Sequence, residues 1–360
     1  MLRGMPLDSD GKWRTIMKKD YLVSIIVPVF NEEDSIAPFM KELDRALEPI
    51  HDHLEIIFVN DGSRDSTVAE VNKVIAADSR VSLVNFSRNF GKEPALSAGL
   101  RVADGDFAVP MDVDLQDPPE VVLEFLKKYE EGDGKYDTVY GLRADRSEDT
   151  LMKRFSAEWF YHVFNFMSSK TKIPVNVGDF RLIDRRVIDT INKLSEKQRF
   201  MKGLFAWASH SSCAVSYKRP ERLAGSSKFN FWKLWNFALD GIFSFSSIPV
   251  RIWSYVGLFI SSLAFLYMII MIAKTLYFGI DVPGYPSIMC VVLFLGGVQL
   301  ISIGVVGEYV GRIYYEVKGR PLYVIDGVSG RLSATHESDG SRKKAETEGA
   351  EKSERSGEGR

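Results

Sequence analysis

Short apolar runs alternate with amphipathic segments along the chain up to about Tyr140. The apolar runs are nearly continuous, as is typical of parallel strands covered on both faces: Val23–Phe30, Glu55–Asp61, Val81–Phe86, Asp106–Asp112 and Tyr136–Tyr140. Helical patterns lie between them: Ser35–Leu47, Ser66–Ala77, Glu93–Val102 and Pro119–Glu131. This alternation predicts a doubly wound α/β domain, whose ligands bind at the carboxyl ends of the strands.

Farther along, the sequence becomes aromatic and basic, and then continuously apolar. Segments 147–168 and 229–248 carry aromatic side chains among scattered Lys and Arg, which favours helices lying at a membrane surface over core-facing helices. Two charge-free stretches follow, each with roughly the 20 apolar residues that cross a bilayer. Within 249–312 the sequence therefore predicts a hairpin of two transmembrane helices, at about 252–275 and 286–309.

The charged residues around these stretches predict an orientation. Arg251 precedes the first stretch, and Arg312, Lys318 and Arg320 follow the second. Basic flanks stay on the cytoplasmic side, so we predict a multi-pass protein of the cytoplasmic (inner) membrane with both termini and the α/β domain in the cytoplasm. Lys274 on the other side is the opposing observation. The second stretch is rich in glycine, which permits close helix packing and favours a homo-oligomer.

The remaining segments are polar. Residues 1–20 lack the apolar core of a secretory signal. We expect the α/β domain to follow this polar tail and to occupy residues 21–228. After the hairpin, segment 313–328 holds one more candidate strand, Arg320–Asp326. Residues 329–360 contain almost no apolar side chain and are expected to be disordered.

Composition narrows the possible partners. The formal net charge of the 360 residues is −2, which gives no reason to expect a nucleic acid as partner. The two cysteines, Cys213 and Cys290, lie far apart and outside any Cys/His cluster. A disulfide framework or a zinc site is therefore not expected, which suits a reducing cytosolic face.

Three clusters of polar residues at predicted strand ends point to a nucleotide. Pro28, Asn31 and Glu32, in VPVFNEE, form either an ordinary acidic helix start or a pocket for a base and ribose. Asp61 ends the second strand at a turn, and its carboxylate is placed to accept a hydrogen bond from a base. Arg88 and Lys92, in SRNFGKE, flank a helix start, an arrangement that suits a diphosphate as well as an ordinary basic loop.

The fourth cluster, VPMDVDLQDPPE, is the most specific. Asp112 and Asp114 are expected to share one face of an extended segment, because alternate side chains of a strand point the same way. Two neighbouring carboxylates repel each other unless a cation joins them, and Gln116 offers a third oxygen. Mg²⁺ or Mn²⁺ fits these ligands, and such ions usually also hold substrate phosphates. A solvated acidic loop is the alternative.

Together, these four motifs resemble the family 2 glycosyltransferases of the GT-A fold. With the C-terminal hairpin, the pattern from VPVFNEE to DLQDPPE resembles the polyprenyl-phosphate glycosyltransferases, which include bactoprenol glucosyltransferases and dolichyl-phosphate mannose synthases. The resemblance implies a metal-dependent transfer of a sugar, with inversion, from a nucleotide sugar to a polyprenyl phosphate at the cytoplasmic membrane face. The wording of the motifs favours UDP-glucose as donor and undecaprenyl phosphate as acceptor, for cell-surface glycan modification.

The resemblance also assigns residues beyond the four motifs. Asp179, in GDFRLIDRRV, matches an acidic residue near the acceptor, with a role as base or in positioning. The positively charged and hydroxyl side chains expected to hold the acceptor and donor phosphates are Arg143, Arg181, Arg222, Ser227 and Lys228.

Two other functions compete with this interpretation. A processive polysaccharide synthase shares the motifs up to Asp114 but usually has more spans and a QxxRW-type motif, of which Gln198-Arg199-Phe200 is the nearest match. A membrane-tethered binding or assembly protein without catalysis would need to have lost the carboxylates and basic residues that are present here.

Overall fold

The fold is built on one mixed sheet of eight strands. The computed structural model describes residues 21–143, 177–197, 199–218, 248–278 and 284–333. The strands are β1 Val23–Val29, β2 Leu54–Asn60, β3 Val81–Phe86, β4 Phe107–Pro110, β5 Thr138–Arg143, β6 Val177–Asp184, β7 Ser212–Tyr217 and β8 Ile325–Gly330. The α-helices are α1 Ile36–Ala46, α2 Thr67–Ala77, α3 Lys92–Val102, α4 Val121–Glu131, α5 Arg185–Lys193, α6 Met201–Ala208, α7 Ile248–Phe278 and α8 Tyr285–Val317.

The order of the strands is β7-β5-β6-β4-β1-β2-β3-β8. Strands β4, β1, β2 and β3 are parallel to one another, and β6 and β8 are antiparallel to their neighbours in this group. Strand β5 is antiparallel to β6, and β7 is parallel to β5. The ends of six strands and the starts of β6 and β8 therefore meet at one edge, named here the site edge. The predicted α/β fold is confirmed.

Helices cover both faces of the sheet. Helices α1, α2 and α4 pack on one face through residues such as Phe39 and Phe125. Helices α3, α5 and α6 pack on the other through residues such as Leu96 and Phe205. Gly99 brings α3 close to β1, because an added Cβ would lie only 2.3 Å from a methyl carbon of Ile26. The parallel strands are buried on both faces, which explains their continuous apolar runs.

The last strand lies farther along the chain than predicted. We expected it at Arg320–Asp326, but β8 runs from Ile325 to Gly330 and pairs antiparallel with β3. The prediction that disorder begins at residue 329 is therefore wrong for residues 329–333, since Leu332 is buried against the sheet. The composition of β8 did not indicate a strand, because hydrogen bonds to β3, rather than an apolar face, hold β8 in place.

Two long helices, α7 and α8, lie at the positions of the predicted hairpin. Among the described residues, one helical stretch, Phe294–Val317, is long and apolar enough to cross a membrane, and none of it is buried within the protein. A shorter apolar stretch, Tyr255–Tyr267, lies in α7. A two-span arrangement therefore stays a prediction. Segments 1–20 and 147–168, most of 229–248, and the tail from 334 fall outside the described residues.

Candidate functional site

The loops after β1 and β2 hold each other at the site edge. The backbone N–H of Asn31 donates to Ser63 Oγ over 2.9 Å, and the side-chain oxygen of Asn31 accepts from the N–H of Arg64 over 2.8 Å. The N–H of Glu32 donates to Thr67 Oγ1. Asn31 adopts φ of +54°, a left-handed conformation that Asn tolerates better than most residues. Pro28 lies inside β1, one residue before its end.

Asp61 is buried at the end of β2 and fixes the loop that follows β3. Its two carboxylate oxygens accept the backbone N–H groups of Phe90 and Gly91, over 2.6 and 2.9 Å. Burial raises the pKa of Asp61, and these two hydrogen bonds oppose the rise. The structure thus gives Asp61 a role in joining two loops, and its contact with a base stays a prediction.

Gly62 allows the same two loops to touch. Its φ is +71°, and an added Cβ would lie 2.4 Å from the carbonyl carbon of Arg88. The side chain of Arg88 is exposed at the rim, with its guanidinium carbon 4.7 Å from the centre of the Phe90 ring. This cation–π contact holds the Arg88 guanidinium at the rim of the site edge.

Lys92, the first residue of α3, joins two carboxylates from different strands. Its Nζ lies 2.6 Å from Asp112, which follows β4, and 3.2 Å from Asp179 on β6. The three side chains are 42%, 35% and 19% exposed, in the order Lys92, Asp112 and Asp179, so the ion pairs face a site open to solvent. They meet because β6 is antiparallel to β4, which brings the first residues of β6 to the end of β4.

The charges of this group stabilise one another. Burial alone would lower the pKa of Lys92, but the carboxylates of Asp179 and Asp112 raise it well above its usual value. Burial would raise the pKa of Asp179, but Lys92 and then Lys202 hold it well below its usual range. Asp179 is therefore a charged carboxylate at neutral pH.

Glu93, the next residue of α3, has the opposite environment. Burial, and then the negative charge of Asp179, raise the pKa of Glu93 to about 7, although the N–H of Met201 donates to its Oε2 over 2.9 Å. Sequence reasoning missed Glu93, since an acidic residue in the first turn of a helix is common.

The segment after β4 is a turn rather than an extended strand. Strand β4 ends at Pro110, and Leu115 adopts φ of +55°. The prediction that Asp112 and Asp114 share a face of an extended segment is therefore wrong. The turn arises because a carboxylate oxygen of Asp114 accepts the backbone N–H of Gln116 over 3.2 Å, a local hydrogen bond that competes with the strand.

This turn offers oxygen atoms to a cation. Asp112 and Asp114 are half-buried, and Gln116 is 8% exposed. The side-chain oxygen of Gln116 is buried and has no hydrogen-bond partner among the described residues. The described residues contain no cluster of three or more His, Cys, Asp and Glu side chains that could hold a metal. Two carboxylates and an amide oxygen nevertheless fit a Mg²⁺ or Mn²⁺ whose other ligands come from a substrate.

Basic and aromatic residues lie on the other side of β6. Arg143 ends β5 and hydrogen-bonds the hydroxyl of Tyr217, which also donates to Asp117. Arg181 is buried, donates to the carbonyl oxygen of Gly178 over 2.7 Å, and lies over the ring of Phe205. Arg143 therefore lies at the site edge, whereas Arg181 lies beneath its surface.

Three predicted site residues cannot be located in the structure, and two further residues of the site were not predicted. Arg222, Ser227 and Lys228 lie outside the described residues. Sequence reasoning missed Tyr217 and Asp117, which are 100 positions apart, although Asp117 belongs to a motif that was recognised. No local pattern indicated their contact.

The chain is similar in sequence to known proteins over most of its length. The family model described as "Glycosyl transferase family 2" matches residues 24–191, and the model described as "GtrB C-terminal hairpin" matches residues 248–313. The chain is 52% identical to the SfII prophage-derived bactoprenol glucosyl transferase of Shigella flexneri, covering 84% of this chain and 97% of that protein. It is 50% identical to the prophage bactoprenol glucosyl transferase homolog of Escherichia coli (strain K12), covering 85% and 99%. The solved mannosyltransferase of Pyrobaculum calidifontis, in complex with GDP-Man and Mn²⁺, is 18% identical with a TM-score of 0.39, covering 57% and 59%.

Proposed function

The chain belongs to glycosyltransferase family 2, among the polyprenyl-phosphate glycosyltransferases, and from this premise we propose that it transfers glucose from UDP-glucose to undecaprenyl phosphate. The reaction takes place at the cytoplasmic face of the membrane and inverts the anomeric centre. The names of its relatives, bactoprenol glucosyl transferases, support both the sugar and the lipid.

One observation carries the proposal: Lys92 joins Asp112 to Asp179. Asp112 belongs to the donor side, because it follows β4 in the acidic turn. We assign Asp179 to the acceptor side, because it lies near the start of β6 and follows Gly178, where an added Cβ would lie 3.3 Å from an Nη of Arg143. A cation shared by both sides holds the two halves of the site within a few ångströms, which is what a direct transfer between two bound substrates needs.

In this proposal, the acidic turn holds a divalent cation. Asp112, Asp114 and Gln116 would bind Mg²⁺ or Mn²⁺, whose charge stabilises the negative charge that gathers on a leaving diphosphate. Arg88 and Lys92 are the protein's own cations on that side, and both are placed to contact phosphate oxygens. Asn31, Glu32 and Asp61 shape the pocket for the nucleotide.

The acceptor needs positioning more than a base. A phosphate monoester has a second pKa near ~6, so it is already largely dianionic and nucleophilic at neutral pH. Asp179 has a lowered pKa and is therefore a weak base. We assign it to positioning Lys92 toward the donor, while Arg143 and the residues of segment 222–228 hold the acceptor phosphate. Without these cations, the two anionic substrates would repel each other.

A product analysis tests the proposal. Membranes containing the chain receive labelled UDP-glucose, GDP-mannose or UDP-N-acetylglucosamine with undecaprenyl phosphate, and the lipid extract is analysed. We expect label from UDP-glucose in a lipid-linked monosaccharide, with a β-linkage by NMR, and loss of transfer in EDTA. A polymeric product or an α-linkage would contradict the proposal.

Matched variants connect this product to the site. Asp114→Asn should lower transfer by at least about 100-fold, the usual effect of removing a group that stabilises transition-state charge. Asp52→Asn is the control, because the side chain of Asp52 is 94% exposed and lies away from the site edge. Normal transfer by Asp114→Asn would contradict the role of the acidic turn.

A further inference from the structure

A cavity lies on the face of the sheet that α3, α5 and α6 cover. It has a volume of about 1040 Å³ and is formed by the second half of α3, the loop between α5 and α6, and the segment that follows α8. Helix α3 begins at Lys92 in the candidate site, whereas the cavity is lined by α3 from Ser97 onward. Arg101 lies roughly 13 Å along the helix axis from Lys92, at 1.5 Å per residue. The proposed reaction does not use this cavity.

Basic side chains predominate in the cavity. Its lining includes Arg101, Lys193, Lys197 and Arg199, against two acidic residues, Asp104 and Glu196. The negative charge of Asp104 is already engaged, because its carboxylate lies 3.2 Å from the guanidinium of Arg331. The cavity therefore carries an excess of positive charge and suits an anionic ligand.

Some of these cations are anchored and others are available. Arg199 donates to the carbonyl oxygen of Leu194 over 2.7 Å and to the hydroxyl of Ser97 over 3.3 Å. Arg199 thus fixes the loop that forms one wall. Arg101 and Lys193 are exposed at the cavity, and Arg101 hydrogen-bonds the hydroxyl of Tyr323. The cavity combines a rigid wall with exposed cations, as a site for a phosphate group requires.

The walls are partly apolar and adjoin the end of α8. Leu194, Leu322 and Val102 line the cavity beside the basic residues. The carboxylate of Glu316, one residue before the end of α8, accepts the backbone N–H of Lys197 over 3.0 Å. The lining segment Pro321–Tyr323 begins four residues after α8 ends.

The last turns of α8 have the composition of a membrane boundary. Tyr314 and Tyr315 are exposed, and the Nζ of Lys318 lies 4.8 Å from the centre of the Tyr314 ring. Tyrosines and lysines are enriched where a helix leaves the hydrocarbon. The cavity therefore lies near the level of the lipid headgroups if α8 crosses the membrane.

We propose that this cavity binds the headgroup of an anionic phospholipid, with Arg101 and Lys193 contacting the phosphate and Leu194 and Leu322 contacting the first carbons of the acyl chains. The proposal rests on the membrane association of α8, which is part of the proposed function. An amphiphile matches both the charge and the apolar wall, whereas a soluble phosphate would use the charge alone. A lipid held here would fix the distance between the site edge and the bilayer surface.

A binding measurement with the full chain in mild detergent tests this site. Fluorescent phosphatidylglycerol, phosphatidylcholine and free glycerol phosphate are titrated without any nucleotide sugar. We expect saturable binding of phosphatidylglycerol, at least about tenfold tighter than that of the other two. The double variant Arg101→Gln with Lys193→Gln should bind it about 30-fold more weakly, at the contribution usual for two basic side chains near anionic lipid. Each single variant should show about a fivefold loss.

A charge-matched control separates a specific site from general attraction. Lys41→Gln with Lys127→Gln removes two exposed charges from α1 and α4, on the opposite face of the sheet, and should leave the affinity unchanged. Equal losses in both double variants, or wild-type affinity in the Arg101 and Lys193 variant, would overturn the proposal. Equal affinity for glycerol phosphate would identify a soluble phosphate site instead and would also overturn it.

The outcome is independent of the sugar transferred. Glycosyl transfer in detergent should be unchanged in the Arg101 and Lys193 variant, because Arg101 lies in the last turn of α3 and Lys193 is the last residue of α5. Specific phosphatidylglycerol binding without any sugar transfer would contradict the proposed function and leave this site standing. Sugar transfer without specific lipid binding would contradict the proposed lipid site and leave the proposed function standing.

Discussion

Glu93 makes the stability of this protein depend on pH in a direction that can be calculated. Its pKa is raised from an ordinary value of 4.5 to about 7 by burial and by the nearby charge of Asp179. Between these two values, the unfolded chain has released the proton while the folded chain keeps it. Rising pH therefore destabilises the folded state over this interval, and the loss is complete above about pH 7.

The size of the effect follows from the shift. Each unit of pKa corresponds to about 1.4 kcal/mol, so Glu93 destabilises the folded state by about 3 kcal/mol above pH 7 relative to pH 4.5. Glu93→Gln removes the charge but keeps an oxygen that accepts the N–H of Met201. The variant should therefore not lose this stability as the pH rises. For a domain of this size, 3 kcal/mol corresponds to a thermal midpoint roughly 6–12 °C higher.

Thermal unfolding of the wild type and of Glu93→Gln at pH 5, 6, 7 and 8 measures this difference. We expect the two midpoints to be close at pH 5 and to separate by several degrees at pH 8, with the variant more stable. Asp179, with its lowered pKa, is charged throughout this interval and adds no slope. Glu124→Gln, at an exposed position of α4, is the matched control. An equal separation at pH 5 and pH 8 would refute the reasoning.

Three other substitutions test individual contacts. Gly62→Ala should lower the thermal midpoint and raise the KM for the donor. Gly134→Ala is the control, because Gly134 has a similar φ of +75° but an added Cβ there would have nothing within 4 Å, so its effect should be smaller. Equal effects of the two substitutions would exclude the clash as the cause. Tyr217→Phe removes a hydrogen bond to the buried carboxylate of Asp117 and should cost about 1–3 kcal/mol in urea unfolding, so an unchanged midpoint would contradict its role. Lys92→Met leaves two carboxylates without their shared cation and should lower kcat by roughly 100-fold; undiminished transfer would rule out the bridge.

The positions at strand ends were predictable because each depends on a local pattern. An apolar run followed by acidic residues located Asp112 and Asp114, and a turn sequence located Asp61. For the first five strands, the predicted limits were within three residues of those observed. Strands β6 and β7 were not predicted, and β8 lies farther along the chain than expected. The local conformation of the acidic turn was not predictable, because a single hydrogen bond from Gln116 to Asp114 changes its direction.

The contacts between distant segments could not be read from the sequence. The bridge through Lys92 depends on β6 lying beside β4 and antiparallel to it, and no local pattern encodes that neighbour. The contact of Tyr217 with Asp117 likewise depends on the position of β7 in the sheet. Leu332 is buried because β8 joins the sheet beside β3, and the composition of β8 does not predict this pairing.

In the proposed function, two anionic substrates meet at a site edge that already holds several carboxylates. The carboxylates of Asp61, Asp112, Asp114 and Asp179 lie there with the cations Arg88, Lys92 and Arg143, and the charge of Lys202 also acts on Asp179. A diphosphate and a phosphate monoester would add several negative charges to this edge. Their mutual repulsion would be large in a partly buried site. We propose that a divalent cation bound at the acidic turn would balance the charge of the diphosphate, and that Arg222 and Lys228 would balance the charge of the phosphate monoester. In this proposal the metal serves the donor, the two basic residues serve the acceptor, and Lys92 lies between the carboxylates of the two sides.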